Sequence, residues 1–564
     1  MKHVMQWIAL FCGCCGVLSL SAAASPYQLE RRIKTRSAVE LPQIVLNPSL
    51  AAWTFSRASA QKIRCIPGRI RPRQFGLPDA QKSGLPLSRR ENRRKLRPQD
   101  RSPKINTGLT LDVEGGYGSE TTFISQMRHG TQFKGAHYTM AGKWESTEGS
   151  GRRKEEEIIS ARAAANFDLS KKGTFGVEGA YFQSDVELPQ LSESGRHKKS
   201  ALQTVADLRL SVTPESPLEL ALGWERDAFS DHEGRDFTVN RYHGELVGKY
   251  LWGLNNALIA QAAGAIECAQ QDDVRFDPTA FVSMGLLNSF VWHDVVVIEV
   301  GGRFDAYHAP EINARASLLT PAATARIRLG DRATLYASYH PSLKPPDFSE
   351  LYIRTLYTVV NPDLSAETWR HAVEAGVQQR FGNSTILNLA LFYHERDAAI
   401  LRSDPAGEHL LEYVQAGNAR FFGLKAGMQA HVLDQIVQNI TYTYTDYERG
   451  SDGGNALIEG DVVPYQPHHD AQASLSWRMP FGLTIDVQGK YLSKQYRNFR
   501  TEQAQIGGHF LVNASVTQRV TENLHVYALG RNLTDTPTYD IIPALDSEEI
   551  TSSRLFIGGI RMRF

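Results

Sequence analysis

The sequence predicts an all-β fold: a transmembrane antiparallel β-barrel of about 22 strands, preceded by a short, disordered, basic N-terminal segment. Three observations predict it. The chain ends Ser552-Ser-Arg-Leu-Phe-Ile-Gly-Gly-Ile-Arg-Met-Arg-Phe564. Side chains alternate across a strand with period two, so Phe556, Ile560, Met562 and Phe564 share one face, fit for lipid, and Arg561 and Arg563 the other, fit for water. The same alternation recurs from about Asn106 onward. The connections between alternating segments are themselves alternately short and long, as in barrels with short periplasmic turns and long outer loops.

The elements follow in chain order. Lys2 and His3, an apolar run from about Val4 to Leu20 and the small residues Ala22-Ala23-Ala24 read as a secretory signal peptide over 1–24. Its removal takes Cys12, Cys14 and Cys15, leaving Cys65 and Cys268, too few for a disulfide framework. Residues 26–105 carry 19 Lys and Arg against 5 Asp and Glu, whereas 106–564 carry 42 against 56. The net charge of +1 therefore conceals two different objects. The basic part, including Arg89-Arg-Glu-Asn-Arg-Arg-Lys95, has few apolar residues to offset ordering entropy and is expected to be disordered. Opposite charge would draw it toward the acidic barrel. Export argues against nucleic acid as its partner.

The barrel occupies 107–564. Ile485, Val487 and Tyr491 oppose Thr484, Asp486, Gln488 and Lys490; Ala206, Leu208, Leu210 and Val212 oppose Asp207, Arg209 and Ser211; Leu218, Leu220, Leu222 and Trp224 oppose Glu219 and Glu225; Ile440, Tyr442 and Tyr444 oppose Asn439, Thr441, Thr443 and Thr445. Strands are placed near 107–117, 119–129 and so on through 367–381, 384–396, 419–432 and 436–447 to 552–564. Short turns fall at Ser170–Gly173, Thr213–Pro217, Gly330–Arg332, Gly382–Ser384 and Thr521–Asn523. Long connections fall near 185–198, 227–236, 267–276, 340–366, 448–465, 495–506 and 532–551. An even strand count with both ends on the periplasmic side follows. Tyr117, Tyr138, Trp224, Tyr250, Trp252, Trp292, Tyr339, Tyr393, Tyr447, Trp477 and Tyr491 sit near strand ends, as interfacial aromatic girdles require.

Five segments, in order, resemble motifs of TonB-dependent receptors of the bacterial outer membrane. They are Ser338–Tyr352; Asn361-Pro-Asp-Leu-Ser-Ala-Glu-Thr368, with Ala366 where proline is usual; Gln415–Lys425, with Gln415 for the usual Asn and Lys425 for the usual acidic residue; Val463-Pro-Tyr-Gln-Pro-His-His469; and Gly530-Arg-Asn-Leu-Thr-Asp535 followed by Arg554 and Phe564. Pro345 and Pro346 are expected to end strand pairing, and Asn361-Pro362 to restart the chain. The family carries a plug of well over a hundred residues before its barrel. Here 25–106 offers 82, of which Val39-Glu-Leu-Pro-Gln-Ile-Val45 resembles the start of a plug, so the segment reads as a possible plug remnant.

The resemblance implies a monomeric outer-membrane receptor that takes up a scarce nutrient (an iron–siderophore complex, haem, cobalamin or similar), energised through a TonB-type protein. The shortened plug leaves that coupling open and supports an alternative, a passive plug-free pore. Ligand contacts are expected from the outer loop around Pro341–Glu367, with Asp347, Tyr352, Arg354 and Tyr357 as candidates. Gly-x-Ser-x-Gly, Walker and His-Glu-x-x-His patterns are absent, so catalytic residues, cofactor and resident metal are not expected, and an outer-membrane protease or lipase is disfavoured. His468 and His469 are adjacent on a strand and so face opposite ways.

Overall fold

The computed structural model describes residues 110–564 apart from 134, 149–155, 171–172, 188–195, 214–215, 231–235, 253–254, 294, 311–313, 347–349, 352–357, 360, 383, 404–410, 434, 450–461, 497–504 and 537–553; residues 1–109 lie outside the description. The signal peptide, the basic segment, Cys65 and residues 107–109 are therefore among the undescribed residues.

Twenty-two antiparallel strands form one closed wall. They are β1 (Thr110–Gly118), β2 (Phe123–Phe133), β3 (Ala136–Thr147), β4 (Glu156–Ser170), β5 (Gly173–Glu187), β6 (Arg196–Thr213), β7 (Ser216–Ser230), β8 (Asp236–Leu251), β9 (Asn256–Gln271), β10 (Thr279–Trp292) and β11 (Val296–Ala309). The second half comprises β12 (Ala314–Leu329), β13 (Ala333–Tyr339), β14 (Glu367–Phe381), β15 (Thr385–Asp397), β16 (Ala419–Leu433), β17 (Ile436–Arg449), β18 (His469–Arg478), β19 (Leu483–Leu492), β20 (His509–Arg519), β21 (Leu524–Arg531) and β22 (Leu555–Arg563). Each strand pairs with its neighbours in sequence. β22 pairs with β1 from Asp112↔Arg563 to Gly118↔Ile557, which closes the cylinder. Two backbone hydrogen bonds between Leu111 and Phe564, 2.8 and 3.1 Å, finish the seam.

Alternation decides the faces. Phe556, Ile560, Met562 and Phe564 are exposed on the outside, as are Leu210, Leu222, Leu335, Leu391 and Leu475. A bilayer strand needs only about 9–11 residues; β6, at 18 residues, runs well beyond that. The outer girdle can be read across register: Tyr242 faces Trp224, Trp224 faces Thr204, and Tyr181 lies two residues from that level on the same face of β5. Tyr250, Trp252 and Trp292 mark the short-turn end and are strongly exposed.

Three expectations need correction. Tyr447 is not a girdle residue: it lies on the inner face with Thr441, Thr443 and Thr445, is buried, and stacks on His468 at 4.7 Å. Loop length does not alternate strictly, because Ser119–Thr122 joins β1 to β2 on the long-loop side through a four-residue turn. The connection from β15 to β16 is also more than a loop. It contains an antiparallel hairpin of Ala399–Ser403 and Leu411–Ala416, to which Thr358–Val359 adds a parallel strand.

Inner-wall carboxylates are largely taken up by wall bases. Arg162 meets Glu178 at 2.7 Å, Arg209 meets Glu219 at 3.2 Å, Arg303 meets Asp305 at 2.8 Å and Arg561 meets Glu114 at 2.5 Å. Arg241 on β8 lies between Glu225 on β7 (2.7 Å) and Glu267 on β9.

Candidate functional site

The outer mouth over β13–β17 is where the loops turn inward. Ser342–Lys344 continues the β13 pairing against β14, Ser342 facing Trp369 and Lys344 facing Glu367. The strand ends there, since Pro345 and Pro346 cannot donate to a ladder. Leu343 is buried against Phe281, Tyr307 and Ala309, and its amide donates to Asp305 Oδ2 at 3.3 Å. The chain returns at Asn361, whose Oδ1 accepts from the Asp363 amide at 3.0 Å, a side-chain-closed turn.

Two of the sequence motifs interlock here. Asn361 Nδ2 donates to the Tyr413 carbonyl at 2.8 Å. The Ser365 amide donates to Gln415 Oε1 at 2.6 Å, and Gln415 Nε2 donates to the carbonyl of Ala398 at 2.5 Å. Gln415, which departs from the usual Asn, therefore bridges the returning loop to the hairpin. Leu351, Leu364, Ile400 and Tyr413 form a small buried core between them.

Beneath the hairpin the inner wall is aromatic and basic. Arg396 on β15 lies between the rings of Trp369 (4.2 Å) and Phe421 (4.3 Å). His394 stacks on Phe392 at 5.0 Å. Ala399, Leu401, Val414 and Ala416 of the hairpin pack on Phe392, Phe421, Tyr447 and Val463. Glu367, fully buried, accepts from the Ile400 amide at 2.9 Å and from Trp369 Nε1. This aromatic wall is covered by the chain's own hairpin. Its role is to hold a folded loop platform over one side of the mouth.

The four candidate contacts, Asp347, Tyr352, Arg354 and Tyr357, all lie outside the described residues, so the structure neither gathers nor separates them. Their neighbours are anchored: Leu351 is buried, the Asn361 amide donates to the Glu350 carbonyl at 3.2 Å, and Thr358–Val359 pairs with Leu411–Glu412. The hairpin is not among the predicted elements, although its signal is in the sequence. Ala399-Ile-Leu401 and Leu411-Glu-Tyr-Val414 are two short apolar runs separated by Pro405 and Gly407. His468 and His469 do face opposite sides: His468 Nδ1 meets the Thr445 carbonyl at 3.0 Å, and His469 Nδ1 meets Tyr442 Oη at 2.8 Å.

Lys425, where an acidic residue is usual, reaches across Phe392 (4.8 Å) to Glu374 at 3.0 Å. Lys425→Glu would bury two carboxylates together. It is expected to lower stability to urea by about 3 kcal/mol or more, and Glu374→Lys in the same chain to restore most of the loss. Equal midpoints for wild type and the single variant would remove the pair from the stability argument.

The family model described as TonB dependent receptor-like, beta-barrel, matches residues 68–533. Among solved structures, the fold is similar to the siderophore receptor PiuA from Acinetobacter baumannii, with a TM-score of 0.62 at 14% identity, covering 81% of this chain and 82% of that one. It is similar to the FrpB iron transporter from Neisseria meningitidis, with a TM-score of 0.64 at 10% identity and 82% of each chain covered. It is also similar to the ferric-catecholate import receptor Fiu from E. coli K12, with a TM-score of 0.62 at 12% identity, covering 81% and 82%. At such identities these likenesses establish the fold. The family match spans most of the chain and includes the interlocked motifs at the outer mouth, and on it the chain belongs to the TonB-dependent receptor β-barrel family.

Proposed function

We propose that this protein is a monomeric receptor of the bacterial outer membrane that captures a scarce nutrient and passes it inward, energised through a TonB-type partner. The nutrient is an iron–siderophore complex, haem, cobalamin or a compound of that kind. Residues 1–24 direct export and are removed, 25–106 form a plug remnant, and 107–564 form the barrel. The observation that carries the reading is the folded platform at the outer mouth. A loop and a hairpin locked together by Asn361, Gln415 and Glu367 favour a built binding mouth over a passive pore. The platform fixes both flanks of the loop bearing Asp347, Tyr352, Arg354 and Tyr357, which are assigned to the ligand. A rigid scaffold presenting a variable loop is the common way to build selectivity.

The test is binding by purified protein in detergent, read by tryptophan fluorescence against ferric siderophores, haem and cobalamin. One of them is expected to bind saturably with a Kd of about 1 μM or tighter, near −8 kcal/mol. The combined Arg354→Ala and Tyr357→Ala variant is expected to weaken it at least tenfold. Absence of saturable binding to the whole panel, with a large steady conductance in a planar bilayer, would replace this reading with the plug-free pore.

A further inference from the structure

The outward wall of β5–β8 carries a depression of about 360 Å³ on the long-loop side of the aromatic girdle. Register places Gln183, Ser200, Ala228, Thr238 and Gln270 in one row across β5–β9. The row shares parity with Val177, Leu210, Leu222, Tyr242 and Ile266, all exposed on the lipid side. It stands four residues beyond Trp224 and Tyr242, which is about 13 Å along the strands at ~3.3 Å per residue. Girdle aromatics sit at the level where acyl chains meet headgroups. The depression therefore opens into the headgroup layer of the outer leaflet. Ser200 and Ala228 are its small floor, with Tyr181, Gln183 and Lys198 on one side and Ser230, Asp236 and Thr238 on the other.

The lining is neither greasy nor of one charge. Tyr181 Oη donates to Gln183 Oε1 at 2.7 Å, which leaves the Gln183 amide nitrogen as a donor to the depression. The Ser200 and Thr238 hydroxyls make no hydrogen bond among the described residues. Asp236 accepts from Ser230 Oγ at 2.6 Å. Asp185 lies 3.9 Å from Lys198, whose side chain is 66% exposed at the upper rim. Glu157 on β4 faces Asp185 and accepts from Trp144 Nε1 at 2.8 Å. Lys199, of opposite parity, acts on Glu225 in the lumen. Arg226 lies at the lower edge, facing Leu202 and Asn240. It is exposed and makes no ion pair among the described residues. Leu202 is four residues from Lys198 on β6, so the two cations stand about 13 Å apart in level.

We infer that this depression seats the headgroup of an outer-leaflet glycolipid, a phosphorylated sugar whose acyl chains descend past Leu202 and Leu222. A polyol needs donors and acceptors side by side, and the mixed lining supplies both: the Gln183 amide, two hydroxyls and the Asp236 carboxylate. A bare anion would be opposed by Asp185 and Asp236, whereas sugar hydroxyls donate to them. Arg226 takes a phosphate near the acyl chains, since a guanidinium grips phosphate with two parallel bonds, and Lys198 takes a second one above. The inference goes beyond nutrient uptake and rests on the barrel standing in the outer membrane, whatever solute the lumen passes.

The test uses the full chain in detergent and native mass spectrometry, which counts the lipids retained on the protein. Three probes are titrated: lipid A (an acylated glucosamine disaccharide bearing two phosphates), phosphatidylglycerol, and the lipid A headgroup stripped of its acyl chains. One lipid A is expected to bind about tenfold or more tighter than phosphatidylglycerol. Ser200→Trp, which fills the floor, should reduce that advantage to about twofold or less and leave phosphatidylglycerol binding unchanged, which also reports an intact barrel. Arg226→Ala should weaken lipid A about threefold or more without affecting lipid A that lacks phosphate. Equal retention of lipid A and phosphatidylglycerol overturns the inference, as does a lipid A preference that survives both variants. Equal binding of the stripped headgroup would make this a soluble-sugar site, and a protein dimer lost in Ser200→Trp would assign the depression to a second copy; either result overturns the inference.

Discussion

Glu367→Ala is expected to release the hairpin from the outer mouth while leaving the barrel closed. The carboxylate is 1% exposed and serves three groups at once. It accepts from the Ile400 amide, accepts from Trp369 Nε1, and lies 3.9 Å from Arg396. Alanine leaves two buried donors without an acceptor, each costing about 1–3 kcal/mol, and removes the counter-charge of a guanidinium held between two rings. Removing one partner of a buried pair typically costs about 3–5 kcal/mol. The wall does not depend on this residue in the same way, because its ladder bonds are backbone to backbone.

The expected result is local. Amide exchange at Ile400 and Leu401 should quicken about 100-fold or more, since each 1.4 kcal/mol is a factor of ten, while exchange in β5–β8 stays within about twofold. If the proposed ligand contacts are right, nutrient binding should weaken in parallel, because the platform that flanks residues 347–357 has come loose. Trp369→Phe is the graded control: it deletes one donor, keeps the Ile400 bond, and should give a smaller acceleration. Unchanged exchange at Ile400 in Glu367→Ala would mean that the apolar contacts of Leu401 and Val414 alone hold the hairpin.

Much of this architecture was legible in the sequence because a barrel wall is written residue by residue. Phe556 against Arg561, or Leu222 against Glu219, declares its face through period two alone, and the strand placements at 367–381 and 419–432 meet the observed β14 and β16 to within a residue. Tyr447 failed for an instructive reason. Aromatic character at a strand end suggests the girdle, but parity with Thr445 puts the ring on the inner face. The hairpin failed because Ala399–Ser403 is only five residues long. Its stability comes from Glu367 and Phe421, which are distant in sequence and invisible to local periodicity. The site was legible only as motifs: Asn361 and Gln415 were marked, but that they bond one loop to the next required the fold.

The seam offers the sharpest test of closure. Gly116 on β1 and Gly559 on β22 face each other directly, and Tyr527 on β21, itself paired with Gly559, lies over both among Ile124, Leu555 and Ile557. A Cβ at Gly116 would stand 2.4 Å from Tyr527 Oη, with Ile557 Cγ2 next at 3.0 Å. One at Gly559 would stand 2.4 Å from the backbone oxygen of Gly115 as well as 2.5 Å from the Tyr527 ring. The two glycines therefore answer to different obstacles. Gly116→Ala meets chiefly the end of a side chain and is expected to cost about 1–3 kcal/mol in urea unfolding, most of it recovered by Tyr527→Phe, which deletes the offending oxygen. Gly559→Ala meets backbone that cannot turn aside without opening the β1–β22 ladder. It is expected to cost more, and Tyr527→Phe should rescue little of it. Their neighbours Gly115 and Gly558 meet nothing within 4 Å, so alanine there should be close to neutral or slightly stabilising through the unfolded chain. Equal losses at all four glycines would mean that the seam tolerates no side chain for reasons of strand propensity alone, and that Tyr527 does not set how the first and last strands meet.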